Sequence, residues 1–324
     1  MVKIGITPLA FESMGVRSMC TLVETKDVKV LVDAGVSVAP RFSLMPHPKE
    51  YATRTLVRNK IREAAGKADF ITISHYHYDH HTPNYVDTVY CGSSPEEANA
   101  IYGRKTVLAK STKDHVNMSQ RRRGWLFQKI SGQFVDRFEV ADGRVFRVKD
   151  TELRFSQPVY HGEEGSELGW VVMLVIQREE EKVMHASDVQ GPVLESTLEM
   201  ILAEKPDILV IGGPPLYLSG SKVPVASIEQ GLRSLQRIAK SVPITILDHH
   251  IVRSEDWRNH AAGIFEEAEK YGNRVVTAAE YAGCEYNALE STRKALYEKE
   301  PPGKEFLKWT KMSEVERKKT APPL

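Results

Sequence analysis

A cluster of four histidines and one aspartate stands out at residues 74–81, where the sequence reads SHYHYDHH. The apolar segment DFITIS directly before it predicts a short buried strand, which would hold the cluster rigidly. His75 and His77 are two residues apart, so on an extended chain their imidazoles point the same way and can bind one ion. Asp79 and His80 follow after the chain has begun to turn, and we expect them to face a second position nearby. Ligand type and spacing favour a metal site over a solvated histidine-rich loop.

The elements around this cluster predict two layers of strands covered by helices. Strand-like segments open the chain, and a helix is predicted over residues 49–68. A second set of strands follows, in the segments RVFRV, ELRFSQPVY, GWVVMLVIQ and KVMHASD. Residues 169–177 (GWVVMLVIQ) are apolar on both faces for much of their length and are predicted as one central strand. After Pro192 helices and strands alternate. This order indicates two sheets packed face to face with helices outside.

Composition narrows the classes of partner. The 324 residues contain 44 Lys and Arg against 43 Asp and Glu, so a net charge of +1 argues against whole-chain attraction to nucleic acid or anionic lipid. No apolar run approaches the roughly 18 residues of a membrane helix, and the N-terminus lacks a secretory signal pattern. Cys20, Cys91 and Cys284 have no C-x-x-C spacing, which favours a reducing compartment. We therefore expect a cytoplasmic protein with no membrane partner, of an oligomeric state that the sequence does not reveal.

The segment HYHYDH resembles the H-x-H-x-D-H signature of the metallo-β-lactamase superfamily in every specified position. Over residues 1–285, further segments resemble the other motifs of that superfamily in the expected order. They are LVDAG with Asp33, PVYHG with His161, HASDVQG with Asp188, and ILDHH with His249 or His250. As a whole the chain resembles an uncharacterised archaeal group of predicted metal-dependent hydrolases, from which no substrate follows.

This resemblance implies an α/β (α+β) fold, a four-layer αββα sandwich of two mixed sheets packed face to face with helices outside. The hydrolase domain would occupy residues 1–290. Residues 291–324 are charged and rich in Lys, Glu and Pro, and we expect a C-terminal helix or tail that is docked or partly disordered.

The resemblance also implies two divalent metal ions. The first would be bound by His75, His77 and His161, the second by Asp79, His80 and His249 or His250, with Asp188 bridging both. Asp33 would orient the metal-binding loop through hydrogen bonds. We favour His249, because in the ribonuclease Z branch the fifth histidine follows a polar residue and precedes an arginine four positions on, as in Asp248-His249…Arg253. The other histidine would then support a ligand or face the substrate.

Two ions that share an aspartate would lower the pKa of a bridging water from about 15.7 to about 7 and polarise a carbonyl or phosphoryl oxygen. We therefore predict a dinuclear metal-dependent hydrolase that uses a bridging hydroxide on an ester or phosphodiester. Zinc is the first choice because most ligands are imidazoles, and iron or manganese can occupy such sites too. Redox di-iron relatives usually carry a carboxylate at the position of His77, which favours hydrolysis here.

Three consecutive arginines, Arg121, Arg122 and Arg123, lie in a helix predicted over residues 111–131 together with Trp125. They are candidate contacts to an anionic substrate, and the plainer interpretation is a solvated helix face. The arginines motivate an alternative function, a metal-dependent nuclease acting on RNA or DNA. A second alternative is a non-catalytic metal-binding protein, which would require a damaged site although every motif position is filled.

Two residues of the cluster are candidates for direct catalytic roles. Asp79 would hold the second ion, so its loss should abolish activity. His81 follows the signature directly and would help to position the substrate, with an ordinary hydrogen-bonding role as an equal alternative.

Overall fold

The structure is a computed structural model and describes residues 4–324. Its first sheet has six strands: β1 (Gly5–Phe11), β2 (Met19–Glu24), β3 (Lys29–Val32), β4 (Phe70–Ile73), β5 (Thr106–Ala109) and β6 (Arg137–Val140). They lie side by side in chain order. β1, β2 and β3 pair antiparallel, whereas β3 to β6 run parallel. The sheet is therefore mixed.

The second sheet has seven strands and is also mixed. Its strands are β7 (Val145–Val148), β8 (Thr151–Phe155), β11 (Leu174–Arg178), β12 (Glu181–Ala186), β13 (Ile208–Gly212), β14 (Ile244–Asp248) and β15 (Arg274–Val276), in the order β15-β14-β13-β12-β11-β8-β7. The strands β12 to β15 run parallel, and the others pair antiparallel. A separate pair consists of β9 (Val159–Tyr160) and β10 (Trp170–Val171).

Several helices cover the outer faces of the two sheets, and residues 4–324 form eleven helices in all. They are α1 (Pro48–Lys67), α2 (Pro95–Tyr102), α3 (Met118–Ile130), α4 (Glu195–Glu204), α5 (Val225–Ser241), α6 (Trp257–His260), α7 (Ala262–Lys270), α8 (Ala278–Tyr281), α9 (Arg293–Lys299), α10 (Lys304–Thr310) and α11 (Glu314–Lys319). Short 3₁₀ turns include Glu12–Met14 and His249–Arg253. None of the helices formed by residues 4–324 is long and apolar enough to cross a membrane.

Three apolar cores define the four layers. Residues of α1, α2 and α3, such as Ile61 and Phe127, pack on the first sheet. Residues of α4, α5 and α7, such as Ile238, pack on the second sheet. Between the sheets, Leu108 of β5 and Val210 of β13 belong to one buried cluster. The predicted αββα arrangement of two mixed sheets is thus confirmed.

The predicted central strand over residues 169–177 is wrong in one respect, because it is broken in two. Trp170–Val171 pairs with β9, and Leu174–Arg178 pairs with β8 and β12. Between them, the N–H of Val172 donates to the carbonyl oxygen of Ser74 at 3.1 Å. The break therefore ties this segment to the residue that precedes His75.

The arginine-bearing helix is shorter than the predicted 111–131. The N–H groups of Lys113 and Asp114 donate to Ser111 Oγ at 3.1 and 3.2 Å, which is a turn that competes with helix formation. The helix begins only after Asn117, whose side chain accepts from the N–H of Gln120 at 2.7 Å.

The C-terminal segment packs against α1. Arg293 and Glu50 form a buried ion pair at 2.7 Å, and Trp309 lies edge-on to Tyr51 with ring centroids 5.9 Å apart. The indole N–H of Trp309 donates to the carbonyl oxygen of Thr320 at 3.0 Å. The division of the chain near residue 290 remains a prediction.

Trp309→Ala should lower the free energy of unfolding by about 3–5 kcal/mol, because Trp309 is 2% exposed and its removal leaves a cavity. Urea denaturation of the full chain measures this change. Leu307→Ala, in the same helix but 38% exposed, is the matched control and should change stability by less than about 1 kcal/mol. Equal unfolding midpoints for the two variants would show that α10 does not stabilise the fold.

Candidate metal centre

The strand ends of both sheets bring the predicted ligands together. Asp33 follows β3, the histidine cluster follows β4, Asp188 comes shortly after β12, and His249 follows β14 directly. His161 follows β9. Carboxyl ends of neighbouring parallel strands meet at one edge of a sheet, so the topology itself explains this convergence.

One group of ligand atoms comes from His75, His77, His161 and Asp188, all within 4.8 Å of one another. His75 Nε2 lies 3.0 Å from His77 Nδ1, and His161 Nε2 lies 2.9 Å from Asp188 Oδ2. Three imidazole nitrogens and one carboxylate oxygen form a donor set that suits zinc.

A second group consists of Asp79, His80 and His249, again within 4.8 Å. Asp188 faces this group as well. His80 Nε2 lies 3.1 Å from Asp188 Oδ2, and His249 Nε2 lies 2.9 Å from Asp188 Oδ1. The Asp188 carboxylate therefore stands between the two groups, where a bridging ligand would be.

His249 and His250 differ in their distance from this carboxylate. His249 is fully buried, while His250 Nε2 is 3.5 Å from Asp188 Oδ1 and its side chain is 12% exposed. Both belong to a third group with Asp188. The preference for His249 as the ligand stays a prediction that agrees with this geometry.

Most of the histidines make a polar contact through Nδ1 with a neighbouring side chain on the side away from Asp188. These contacts join His75 to Ser74 Oγ at 2.9 Å, His80 to Asp33 Oδ2 at 2.9 Å, His161 to Gln190 Nε2 at 3.2 Å and His249 to Glu12 Oε2 at 2.7 Å. In each case Nε2 is left to face the Asp188 carboxylate. Such supporting contacts orient metal-binding imidazoles.

Asp33 links three parts of the centre. Its carboxylate accepts from the N–H of Ser74 at 2.8 Å and from the hydroxyls of Ser74 and Ser187 at 2.6 and 2.8 Å. Burial opposes the charged form, but the hydrogen bond and charge of His80 hold the pKa of Asp33 well below its usual range. Asp33 therefore lies where the predicted orienting residue should be.

Three residues of the centre have a strained backbone. Asp33, Asp188 and His249 have φ angles of +52°, +53° and +63°. A non-glycine residue in this left-handed region costs on the order of 1–3 kcal/mol, and the conformation persists only where the surrounding structure enforces it. The packed sheets hold all three side chains in place despite this cost.

The sequence analysis did not identify Glu12, and it used Arg253 only to choose between His249 and His250. Glu12 is 4% exposed and accepts from Arg253 Nε at 2.6 Å as well as contacting His249. It is 237 residues away from His249 along the chain, and no local pattern marks it. Gln190 was missed as well, although it lies within the HASDVQG segment two residues after Asp188, because its contact is with His161, 29 positions away.

Protonation divides the histidines into two kinds. Burial, together with the His80 ring, lowers the pKa of His75 to about 4, and burial lowers the pKa of His77 as well. Burial acts in the same direction on His80 and His249, but Asp188 and a second carboxylate outweigh it. The pKa of His249 is thereby raised to about 9 and that of His80 well above its usual value. Without a cation, these two imidazoles carry the charge that neutralises Asp188.

The residues present fit a pair of divalent ions. Within the described residues, His80 Nε2 and Asp188 Oδ1 are buried atoms without a hydrogen-bond partner, although each has a polar neighbour at about 3 Å. These neighbours are close enough for hydrogen bonds, but the angles at the two atoms are unsuitable. An unsatisfied buried polar group costs about 1–3 kcal/mol, and shared cations would remove that cost at both atoms.

A cleft of about 590 Å³ opens beside the centre. His77 and Asp79 form part of its wall, together with Arg123, Arg17 and Lys318. Cavities of about 300–1,000 Å³ accommodate small-molecule ligands.

The arginine trio is divided between two surfaces. Arg123 lies in the cleft wall, with its guanidinium 4.5 Å above the Tyr78 ring. Arg121 and Arg122 are exposed and line a separate depression with the exposed Trp125. Of the predicted substrate contacts, therefore, only Arg123 is placed beside the candidate centre.

His81 is buried beneath the centre. Its Nδ1 lies 2.9 Å from the carbonyl oxygen of His77, and its ring packs edge-on to Tyr76 and Phe127. Among residues 4–324 it joins none of the ligand groups. These contacts agree with the hydrogen-bonding alternative, and a role in substrate positioning stays untested.

Comparison with known proteins agrees with this fold. Residues 29–246 match the family model described as the beta-lactamase superfamily domain. A UPF0282 protein of Methanopyrus kandleri is 43% identical over 293 residues, which cover 90% of this chain and 98% of the relative. One from Thermococcus gammatolerans is 42% identical over 297 residues, covering 91% and 95%. The chain therefore belongs to the beta-lactamase superfamily and, within it, to the archaeal UPF0282 family.

Among solved structures, the chain is similar to the metallo-beta-lactamase fold protein YhfI from Bacillus subtilis. The TM-score is 0.49 and the sequence identity 14%, and the match covers 85% of this chain and 95% of that one.

Glu12→Gln should weaken metal binding by about 10–100-fold, because it removes the carboxylate that orients His249. Competition with a chromophoric chelator measures the affinity. Glu290→Gln is the matched control, since Glu290 is also buried but pairs with Arg17 rather than with a histidine. Equal affinities for wild type and Glu12→Gln would show that the contact between Glu12 and His249 does not support a ligand.

Zinc affinity should rise with pH up to about 9, because His249 has its pKa raised to about 9 and its proton must leave before an ion can bind. Below that pH, zinc binding should release protons. Calorimetry in two buffers of different ionisation enthalpy measures this release at pH 7. Binding without proton release would contradict the protonated state of His80 and His249.

Proposed function

We propose that this protein is a dinuclear metal-dependent hydrolase that acts on an ester or phosphodiester. The observation that carries this proposal is the Asp188 carboxylate, which lies 2.9 Å from His161 Nε2 of the first group and 2.9 Å from His249 Nε2 of the second, beside a substrate-sized cleft. Zinc is the proposed metal, with iron and manganese as alternatives. The hydrolases of the superfamily to which the chain belongs provide the class of reaction.

The two ions, when bound, would supply a hydroxide at neutral pH and polarise the scissile group. The chain would supply the geometry. Asp188 would hold both positions at a fixed separation, and Asp79, with 17% of its side chain exposed, would face the cleft. Arg253 Nη2 lies 3.7 Å from Asp79 Oδ2 and would keep that carboxylate ionised and in place.

The charges in the cleft favour an anionic substrate. Arg17 is already paired with Glu290 at 2.6 Å. Arg123 instead contacts the Tyr78 ring and, at 3.4 Å, the carbonyl oxygen of Tyr76. Within residues 4–324 no carboxylate lies within 4.0 Å of the Arg123 guanidinium. A guanidinium that is free to pair is well suited to phosphate, so a phosphodiester is the preferred substrate class.

A nuclease is the second candidate, and one observation favours it. Arg121 and Arg122 form an exposed basic surface with Trp125, which is 51% exposed. Arginines beside an exposed aromatic ring suit single-stranded nucleic acid. This surface is distinct from the cleft, so only a substrate longer than the cleft would use both.

Wild-type protein loaded with zinc should hydrolyse a chromogenic phosphodiester, and Asp79→Ala should lose about hundredfold or more of that activity, because removing a ligand is more severe than removing its support. Rates are measured on a panel of chromogenic phosphodiesters and esters. Equal rates with and without bound metal would contradict a metal-dependent mechanism.

Arg123→Ala should raise KM for an anionic phosphodiester by about tenfold, the cost of one charge-assisted hydrogen bond. Its neighbour Arg122→Ala is the matched control and should leave KM for the same substrate unchanged, because Arg122 lies outside the cleft. Hydrolysis of a neutral ester should be unaffected by either change. If Arg122→Ala instead abolished binding of an oligonucleotide with a strong salt dependence, the nuclease would be favoured.

A further inference from the structure

His250 occupies a position beside the metal centre that differs from that of the other histidines. It lies in the 3₁₀ turn after β14, with its ring centroid 4.4 Å from that of His249 and 5.9 Å from that of His161. Its Nε2 atom is buried and, in the described part of the chain, has no hydrogen-bond partner. This polar atom is directed toward the Asp188 carboxylate at 3.5 Å.

The partner on the other ring nitrogen is a donor. Arg253 Nη1 lies 3.1 Å from His250 Nδ1. Arg253 is itself fixed by Glu12 on Nε at 2.6 Å and by the hydroxyl of Tyr217 on Nη1 at 3.2 Å. A guanidinium has only N–H groups and accepts no hydrogen bond. His250 Nδ1 must therefore offer its lone pair to Arg253.

This arrangement is the reverse of that at three of the predicted ligands. Behind His80 and His249 stand the carboxylates of Asp33 and Glu12, and behind His75 the hydroxyl of Ser74. An acceptor on Nδ1 places the hydrogen there and leaves the Nε2 lone pair for a metal ion. A neighbour that can only donate, such as a guanidinium, places the hydrogen on Nε2. The amide of Gln190 behind His161 differs, because it can turn its oxygen toward Nδ1. If His250 bound a metal through Nε2, a hydrogen on Nδ1 would face the N–H of Arg253.

We propose that His250 is not a metal ligand but a hydrogen-bond donor, whose Nε2–H binds an anionic oxygen of the substrate or product beside the residues that would hold the metal ions. This inference rests on the proposed function and deepens it, since it assigns the oxyanion contact of the same site. Arg253 is the positioning residue, because it sets the tautomer of His250.

The number of zinc ions bound per chain distinguishes whether His250 is a metal ligand or a hydrogen-bond donor. His250→Ala should retain the wild-type number of zinc ions per chain after equilibration and desalting, whereas His249→Ala should lose one. Inorganic phosphate serves as the probe anion and is titrated into the zinc-loaded proteins by calorimetry. His250→Ala should bind phosphate about tenfold or more weakly than wild type, as expected for loss of a hydrogen bond to a charged group. His250→Gln, which keeps an N–H donor, should recover part of that affinity.

The tautomer is observable directly. A two-bond proton–nitrogen correlation spectrum of the zinc-loaded wild type should show the His250 hydrogen on Nε2, and Arg253→Met should remove that preference. Three results would each overturn the donor role without contradicting the proposed metal centre. They are loss of an ion in His250→Ala, an unchanged phosphate affinity, and a hydrogen on Nδ1 of His250. A wild type that binds no zinc at all would overturn the proposed function, and this role with it.

Discussion

The centre depends on the neutralisation of one buried carboxylate. Asp188 is 1% exposed, and an isolated charge at such a position would be prohibitively costly. Imidazoles from both sheets surround it, and in the absence of a cation His80 and His249 carry the compensating protons. These charged imidazoles offset the cost of burying the carboxylate only if they are held in a fixed position beside it. The supporting contacts of Asp33 and Glu12 follow from that requirement, because each holds one of the two charged rings.

The sheets make this fixation possible. Each contributing side chain lies at or just beyond a strand end, and the backbone of Asp33, Asp188 and His249 leaves the strand in the left-handed conformation. Such strain persists only where the surrounding structure over-determines it. Here the apolar cluster between the sheets and those beneath the helices provide the rigidity. The break between β10 and β11 contributes as well, since Val172 uses its free N–H to hold Ser74.

The sequence predicted the layers, and it named most of the residues that the structure brings together at the candidate centre, for reasons that are local. The H-x-H-x-D-H segment predicts metal ligands from six consecutive residues, and the remaining motifs come in a recognisable order. Glu12 could not be predicted, because its role arises from a contact with a residue 237 positions away. The arginine trio could not be assigned to one surface either. Successive residues on a helix point in directions about 100° apart, so Arg123 faces the cleft while its two neighbours face outward.

The adjacent residues His249 and His250 show most clearly what the sequence alone does not determine. His249 and His250 are chemically identical and adjacent, and both approach the Asp188 carboxylate. What distinguishes them is the group behind the far nitrogen, an acceptor at His249 and a donor at His250. Since Arg253 donates to Glu12 as well as to His250, one acid–arginine pair orders both rings, the first through the carboxylate and the second through the guanidinium. A single network thereby assigns opposite hydrogen-bonding roles to two adjacent side chains.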